Sequence, residues 1–143
     1  MKVFIENEAG KAIKNIFAEK TLEFKKSYQV STPYPLPYGF VLATTSDDGD
    51  NLDCFVLTKE PLKTGQIIEV EAIALMEMFE DGELDHKVIG RMAGEAIELD
   101  DEMKQTLQNF VQTVFKHIPG KRIEVGNFLD ADAANKLVVE QAD

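Results

Sequence analysis

Apolar and polar residues alternate along much of the first two thirds of the chain. The longest run is Ile67 to Met78, in which every second residue from Ile68 to Met76 is apolar and the first residues between them are glutamates. A period of two places neighbouring side chains on opposite faces, so this run predicts a long strand. Six shorter runs, bounded by Gly, Pro and Asp, also predict strands: Lys2 to Ile5, Ile13 to Phe17, Ser27 to Val30, Gly39 to Thr44, Cys54 to Thr58 and His86 to Ile89. Many short strands of this kind are typical of a closed or nearly closed barrel.

Helical periodicity begins only in the last third of the chain. Apolar residues recur there at intervals of three and four, at Met103, Leu107, Phe110, Val111, Val114 and Ile118. This spacing predicts an amphipathic helix, capped by Asp100 or Asp101 and ended by Pro119-Gly120. A second, shorter helix is predicted to begin near Asp130, with a packing face formed by Ala133, Ala134, Leu137 and Val138. Because no repeat or linker interrupts the pattern, we expect one α+β domain over residues 1–143.

Composition and charge narrow the possible partners. The 143 residues are 44% hydrophobic and 29% charged, and no apolar run approaches the length of about 20 residues that a membrane helix needs. The 26 acids against 15 Lys and Arg give a net charge of −11, which would repel nucleic acid and anionic lipid. The N-terminus has no apolar signal-peptide core, and the single cysteine, Cys54, fits a reducing compartment. We therefore expect a soluble cytoplasmic protein without a nucleic-acid or membrane partner.

Two acidic runs, each around a glycine, are the part of the sequence that indicates a chemical function. The first places Asp48, Asp50 and Asp53 around Gly49. Carboxylates packed this closely repel one another unless a cation lies among them, and oxygen ligands are what hard divalent metals prefer. The alternative, a solvated turn that happens to be acidic, does not explain the clustering. An EF-hand loop is excluded, because its first and last ligand positions would fall on Thr44 and Phe55.

The second run surrounds Gly82 with acids, including Glu80 and Asp85, and closes on Lys87. By itself it would be an ordinary hairpin loop. Together with the first run it predicts a site for metal-bound phosphate, since bound cations can reverse the local field of an acidic chain.

The tract from Tyr34 to Asp53 resembles the signature of the soluble family I inorganic pyrophosphatases. Tyr34-Pro-Leu-Pro-Tyr38-Gly leads into Asp48-Gly-Asp50-Asn-Leu-Asp53, and the spacing of the second acidic run is also similar. The resemblance implies a small closed, OB-like antiparallel β-barrel with two C-terminal helices. It further implies Mg²⁺-dependent hydrolysis of pyrophosphate to two phosphates, with several ions per site and Mn²⁺ as a possible substitute, in a homo-oligomer. The chain is shorter than usual members of that family.

The resemblance also implies a role for individual residues. The metal-binding acids would be Asp48, Asp53, Glu80, Asp85 and Glu6. The catalytic group would be Asp50 as general base, with Tyr38 and Lys87. Substrate phosphate would be bound by Lys14, Lys26, Lys87 and Lys116.

Four positions depart from the family pattern. Glu80 stands in place of Asp, Lys26 in place of Arg, Phe115 in place of Tyr, and Ile16 near a usual acid. Lysine cannot form the bidentate hydrogen bonds that arginine makes with phosphate, and phenylalanine lacks a hydroxyl donor. These changes leave open a divergent homologue that binds metal or phosphate with weak or no activity. A hydrolase of another phosphoanhydride is also left open, because the sequence does not show how the site is enclosed.

Overall fold

The computed structural model describes residues 1–143 as nine strands and two helices. The elements are β1 (Lys2–Asn7), β2 (Ile13–Ala18), β3 (Glu23–Gln29), β4 (Tyr38–Val41), β5 (Asp53–Leu57), β6 (Ile67–Glu80), β7 (Glu83–Leu84), β8 (Lys87–Met92), α1 (Asp101–Thr113), β9 (Ile123–Asp130) and α2 (Ala131–Glu140). All seven predicted strands and both predicted helices are present. Neither α1 nor α2 has the length and apolar character needed to cross a lipid bilayer.

Five strands close into a ring. β1 pairs with β4, β4 with β5, β5 with β8 and β8 with β6, and the start of β6 returns to β1. The ring is closed because β6 is long enough to pair with β1 at one end while β8 and β9 pair further along it. The closed barrel predicted from the short strands is therefore confirmed.

One pairing in the ring corrects the prediction of an antiparallel barrel. β5 and β8 run parallel, with Cys54 opposite Val88 and Leu57 opposite Arg91. Parallel neighbours need a long connection between them, and the chain supplies one that contains all of β6. Alternation of apolar residues identifies strands but not their order, so the sequence did not reveal this pair.

Aliphatic side chains fill one hydrophobic cluster of the barrel. It includes Val3 and Ile5 of β1, Val41 of β4, Val56 of β5 and Val88 of β8, each less than 2% exposed. Burying one such side chain contributes about 1.5–3 kcal/mol to the free energy of folding. β1, β4 and β5 are buried along almost their whole length, which makes them a rigid frame for the side chains at their ends.

A second hydrophobic cluster joins α1 to the barrel. Leu107, Phe110 and Val111 of α1 pack with Tyr38 and Phe55. Helix α1 begins as predicted, because the side chain of its N-cap, Asp100, accepts a hydrogen bond from the backbone N–H of Met103 at 2.8 Å. It ends at Thr113 rather than near Ile118, and a series of turns follows.

Strand β9 has no counterpart among the strands that the sequence predicts. Its ladder with β6 pairs Met78 with Val125 and Met76 with Phe128, and the register shifts between them. Such a bulge inserts a residue and interrupts the period of two. The alternation therefore holds for too few residues to reveal the strand.

Two further strands have an end that differs from the predicted one. β4 stops at Val41 instead of Thr44, because Ala43 takes the left-handed backbone conformation, with φ of 57°, which a strand cannot contain. β3 begins at Glu23 instead of Ser27, and its exposed, largely polar residues give no alternation to detect.

The β2–β3 hairpin forms a separate two-stranded sheet beside the barrel. Its link to β1 is polar on one side: the Asn7 side chain accepts from the backbone N–H of Asn15 at 2.7 Å, and the Asn15 amide donates to the Glu6 carbonyl at 2.8 Å. On the other side the Phe17 ring packs edge-on against Phe4, with centroids 4.9 Å apart. The hairpin thus has far fewer attachments than a strand of the ring.

Candidate active site

A cavity of about 460 Å³ lies where the barrel, the β2–β3 hairpin and α1 meet. One part of its lining is apolar and includes Phe55, Met78 and Phe110. The charged part is lined by Glu6, Lys14, Glu19, Lys25, Asp48, Asp50, Asp53, Glu80, Asp85, Lys87 and Lys121. All of the predicted metal-binding acids and all three predicted catalytic residues therefore border the same cavity.

Lys87 is buried between two of these acids. Its Nζ donates to Asp53 Oδ2 at 2.5 Å and to Asp85 Oδ1 at 3.1 Å. The parallel pair explains this contact: Cys54 is opposite Val88, so the residue before each starts its strand at the same edge of the sheet. Burial lowers the pKa of Lys87, but the charges of Asp53 and Asp85 outweigh it and raise the pKa above its ordinary value. Lys87 therefore stays charged.

Burial raises the pKa of several acids of the cavity. Burial raises the pKa of Glu6, at the end of β1, to about 8. Burial also raises the pKa of Asp85 to about 6, although Lys87 opposes the shift. The pKa of Asp50 is raised by burial and then by the charges of Asp48 and Asp53. Each shift means that the ionised form is disfavoured where it lies.

The loop between β4 and β5 carries Asp48 and Asp50. The Asp48 side chain accepts a hydrogen bond from the backbone N–H of Asp50 at 2.9 Å, and the Asp50 carbonyl accepts one from Ser46 at 2.7 Å. Gly49 has a φ of 89°, which a residue with a side chain adopts only under strain. The sequence Asp-Asp-Gly-Asp therefore folds into a compact turn in which Asp48 and Asp50 border the cavity.

Tyr38 lies beneath the charged lining at the start of β4. It is buried against Tyr34 and Phe55, and the Nζ atoms of Lys14 and Lys87 lie 5.6 and 5.7 Å from its ring centroid. Burial, followed by the charge of Asp53, raises the pKa of Tyr38 well above its ordinary value. The hydroxyl therefore remains protonated and can act as a hydrogen-bond donor.

The lysines of the cavity differ from those predicted at two positions. Lys14 lines it as expected, but Lys25 lines it in place of Lys26. The hairpin register shifts there, with Ile16 opposite Lys26 and Phe17 opposite Phe24, so that Lys25 is the extra residue of a bulge. A bulge redirects the side chain that it contains, and counting residues along the sequence cannot locate it.

Lys121 lines the cavity in place of Lys116. Its Nζ forms an ion pair with Glu80 Oε1 at 2.5 Å and lies 4.3 Å from the centroid of the Phe115 ring. Lys116 borders a neighbouring surface pocket instead. Helix α1 ends early, so the helical spacing does not extend to these residues and gave no signal for Lys121.

Comparison with known proteins decides the family. The family model for inorganic pyrophosphatase matches residues 3–143. The chain belongs to the inorganic pyrophosphatase family. The resemblance read from the acidic runs is thereby confirmed, as is the enzyme class that it implied, a hydrolase of pyrophosphate.

Curated relatives agree with the family match. The inorganic pyrophosphatase of Agrobacterium fabrum is 36% identical over 118 residues, which cover 75% of this chain and 66% of that relative. The inorganic pyrophosphatase of Nanoarchaeum equitans is 30% identical over 145 residues, which cover 94% of this chain and 91% of that relative.

Solved pyrophosphatase structures have the same fold. That of Coxiella burnetii superposes with a TM-score of 0.88 at 28% identity, covering 99% of this chain and 92% of the other. That of Thermus thermophilus gives a TM-score of 0.87 at 28% identity, covering 97% and 87%. The OB-like, α+β fold class predicted for the chain is therefore confirmed.

Three of the four departures from the pyrophosphatase pattern line the cavity. Ile16, Glu80 and Phe115 border it directly, whereas Lys26 does not. Phe115 contributes a ring face to Lys121 where a tyrosine would also offer a hydroxyl. The departures thus alter the lining itself and not only the surface of the molecule.

The carboxylates fit a divalent cation by their chemistry. All the donors are carboxylate oxygens, and burial, which is the largest cause of the raised pKa values of Glu6, Asp50 and Asp85, makes their ionised forms costly unless a cation compensates them. No three acids, histidines or cysteines are arranged as a ready-made metal cluster, and two of the acids converge on Lys87. Mg²⁺ does not require such a cluster, since it is usually held by one or two carboxylates together with waters and substrate phosphate.

Proposed function

We propose that the chain hydrolyses inorganic pyrophosphate to two phosphates in a Mg²⁺-dependent reaction, with Mn²⁺ as a possible substitute. The observation that carries the proposal is one cavity in which acids of the barrel face lysines of the hairpin and of the segment after α1. Acids alone would repel a pyrophosphate anion, and lysines alone would bind it without the means to activate water. The combination suits a phosphoanhydride and its cations.

The acids are proposed as metal ligands in the set implied by the family resemblance. Asp48, Asp53 and Asp85 lie at the ends of β-strands or in the tight loop, while Glu6 and Glu80 come from β1 and β6. Divalent cations bound there would neutralise phosphate oxygens and lower the pKa of an attacking water. Several ions are expected, because the acids border the cavity from more than one side.

Asp50 is proposed as the general base. It lies between Asp48 and Asp53 in the sequence, and its pKa is raised by burial and by both neighbours. A carboxylate with a raised pKa accepts a proton from water more readily than an ordinary aspartate does. Its place in the tight loop fixes it beside the proposed metal ligands.

The lysines are proposed to bind the phosphate groups. Lys14, Lys25, Lys87 and Lys121 border the cavity, and Lys87 remains charged. Tyr38 stays protonated and is proposed to position water or phosphate through its hydroxyl. Ammonium groups stabilise the negative charge that accumulates on the leaving phosphate.

The apolar lining is proposed to exclude water from the bound substrate. Phe55, Met78 and Phe110 limit how much water surrounds a bound substrate, and ionic contacts are stronger where water is scarce. The predictions of a homo-oligomer, of a cytoplasmic location and of no nucleic-acid or membrane partner stay predictions.

A substrate panel tests the proposal. Purified protein is supplied with pyrophosphate, a nucleoside triphosphate or a phosphate monoester, each with and without Mg²⁺, and released phosphate is measured. We expect rapid, Mg²⁺-dependent release from pyrophosphate alone. Faster release from the triphosphate would identify a hydrolase of another phosphoanhydride. No release from any substrate, beside intact Mg²⁺ binding, would identify a divergent binding homologue, for which the cavity-lining Ile16 and Phe115 provide a structural reason.

A further inference from the structure

One carboxylate of the cavity lies outside the set predicted from the sequence. Glu19 follows β2, and its Oε1 accepts a hydrogen bond from the backbone N–H of Asn51 at 2.9 Å. Asn51 lies directly after Asp50 in the acidic loop, two residues before Asp53. The end of the hairpin is therefore tied to the loop that carries the proposed base and the proposed metal ligands.

The charges around Glu19 are mainly negative. Burial raises its pKa to about 7, and the charges of Asp53 and Asp50 add to the shift, whereas Lys14 and the hydrogen bond from Asn51 oppose it. A carboxylate that is partly withdrawn from water beside two other acids is unfavourable unless a cation compensates it. Other acids on the hairpin, such as Glu23, are exposed and do not border the cavity.

The hairpin contributes both Ile16 and Glu19 to the cavity. Ile16 of β2 borders the same cavity and has no ligand atom. Glu19 lies three residues further along the same chain segment and turns its carboxylate toward the same acidic loop. Glu19 is thus the only carboxylate that the hairpin contributes to the cavity.

We propose that Glu19 is an additional anionic group of the divalent-cation site, with Oε1 held by Asn51 and Oε2 available to a cation or to a water in its shell. The inference rests on the proposed function only in requiring that the acidic loop binds a divalent cation. Glu19 would then be a residue of the hairpin that sets the affinity of the site for the cation.

A purely structural role of Glu19 would have a different effect on Mg²⁺ binding. If Glu19 only connects the hairpin to the loop, its contribution is the hydrogen bond that it accepts from Asn51, and its charge is not needed. A glutamine keeps a carbonyl oxygen at Oε1 that accepts the same bond, but it removes the charge. Glu19→Gln therefore separates the two roles.

The experiment is a calorimetric titration of the full chain with Mg²⁺ in the absence of pyrophosphate. We expect Glu19→Gln to raise the Kd for Mg²⁺ by about 10- to 100-fold, the usual effect of losing a supporting group at a metal site. Glu23→Gln, which removes the same charge from an exposed position of the hairpin, serves as the matched control and should leave the Kd unchanged. A Kd for Glu19→Gln equal to that of the wild type overturns the inference.

The midpoint of thermal unfolding without metal shows whether Glu19→Gln has a folding defect. If Glu19→Gln lowers the midpoint together with the affinity, the double variant Ile16→Glu, Glu19→Gln decides, because it returns a carboxylate to the cavity from the same hairpin. Recovery of the Mg²⁺ affinity supports the inference, and no recovery overturns it. Neither readout uses pyrophosphate, so an inactive wild type would contradict the proposed function without affecting this test.

Discussion

Most acids of the cavity and most of its lysines are held by different parts of the molecule. Most of the acids extend from a closed ring of strands and its tight loop, and Lys87 lies buried among them. Lys14 and Lys25 extend from a separate hairpin, and Lys121 follows the turns after α1. The strands that flank the acidic loop are thus fixed by hydrophobic packing, whereas the hairpin is fixed by a few contacts. We infer that metal binding is the rigid half of the function and phosphate binding the adaptable half.

The largest effect is expected at Asp50. Asp50→Asn removes the proposed base while leaving Asp48 and Asp53 in place, so kcat should fall by about 10²- to 10⁴-fold with the Mg²⁺ affinity retained. Phosphate-release kinetics and Mg²⁺ titration measure the two quantities. Asp47→Asn is the control, because Asp47 belongs to the same loop but does not border the cavity. Near-normal turnover by Asp50→Asn would show that the base is another group.

The hairpin offers a matched pair of lysines. Lys25→Ala should raise the KM for pyrophosphate by about 10- to 100-fold, because a hydrogen bond to a charged oxygen is worth about 1.5–3 kcal/mol. Lys26→Ala should leave the KM unchanged, since its side chain does not border the cavity. Steady-state kinetics of both variants provide the test. The opposite ranking would mean that the bulge in β3 is not present in solution and that the register counted from the sequence is correct.

Stability should separate the two regions as well. At Gly39 of β4 an added Cβ would lie 1.8 Å from the Phe4 carbonyl oxygen in β1, so Gly39→Ala forces two ring strands apart. We expect a loss of about 1–3 kcal/mol in the free energy of unfolding, measured by denaturant titration. Ser27→Ala on the exposed hairpin should change it by less than about 0.5 kcal/mol. Equal losses would contradict the contrast between a rigid ring and a loosely attached hairpin.

The smallest catalytic effect is expected at Lys121. Its charge is shared with Glu80, so Lys121→Ala should raise the KM by no more than about tenfold, or about 1.4 kcal/mol. Lys116→Ala should have no effect, and kinetics of the pair give the comparison. A loss of kcat larger than that of Asp50→Asn would place Lys121 at the centre of the chemistry and reverse the proposed division of roles.

The same contrast explains what the sequence could predict. Asp48, Asp50 and Asp53 belong to one short loop around Gly49, so their convergence follows from local turn chemistry. The barrel strands were readable because buried strands show strong apolar patterns. Lys25 and Glu19 reach the cavity through a bulge and a hairpin end, which depend on contacts made after folding. The parallel pair of β5 and β8 depends on strand order, which periodicity does not contain.

The central claim is that acids held by the barrel make pyrophosphate hydrolysis depend on a divalent cation. Its most direct test is phosphate release from pyrophosphate across a Mg²⁺ titration, with the wild type beside Asp53→Ala. We expect the wild type to be active only with Mg²⁺, and we expect Asp53→Ala to need a much higher Mg²⁺ concentration for its remaining activity. Release by the wild type without any divalent cation, or an unchanged Mg²⁺ requirement in Asp53→Ala, would contradict the account.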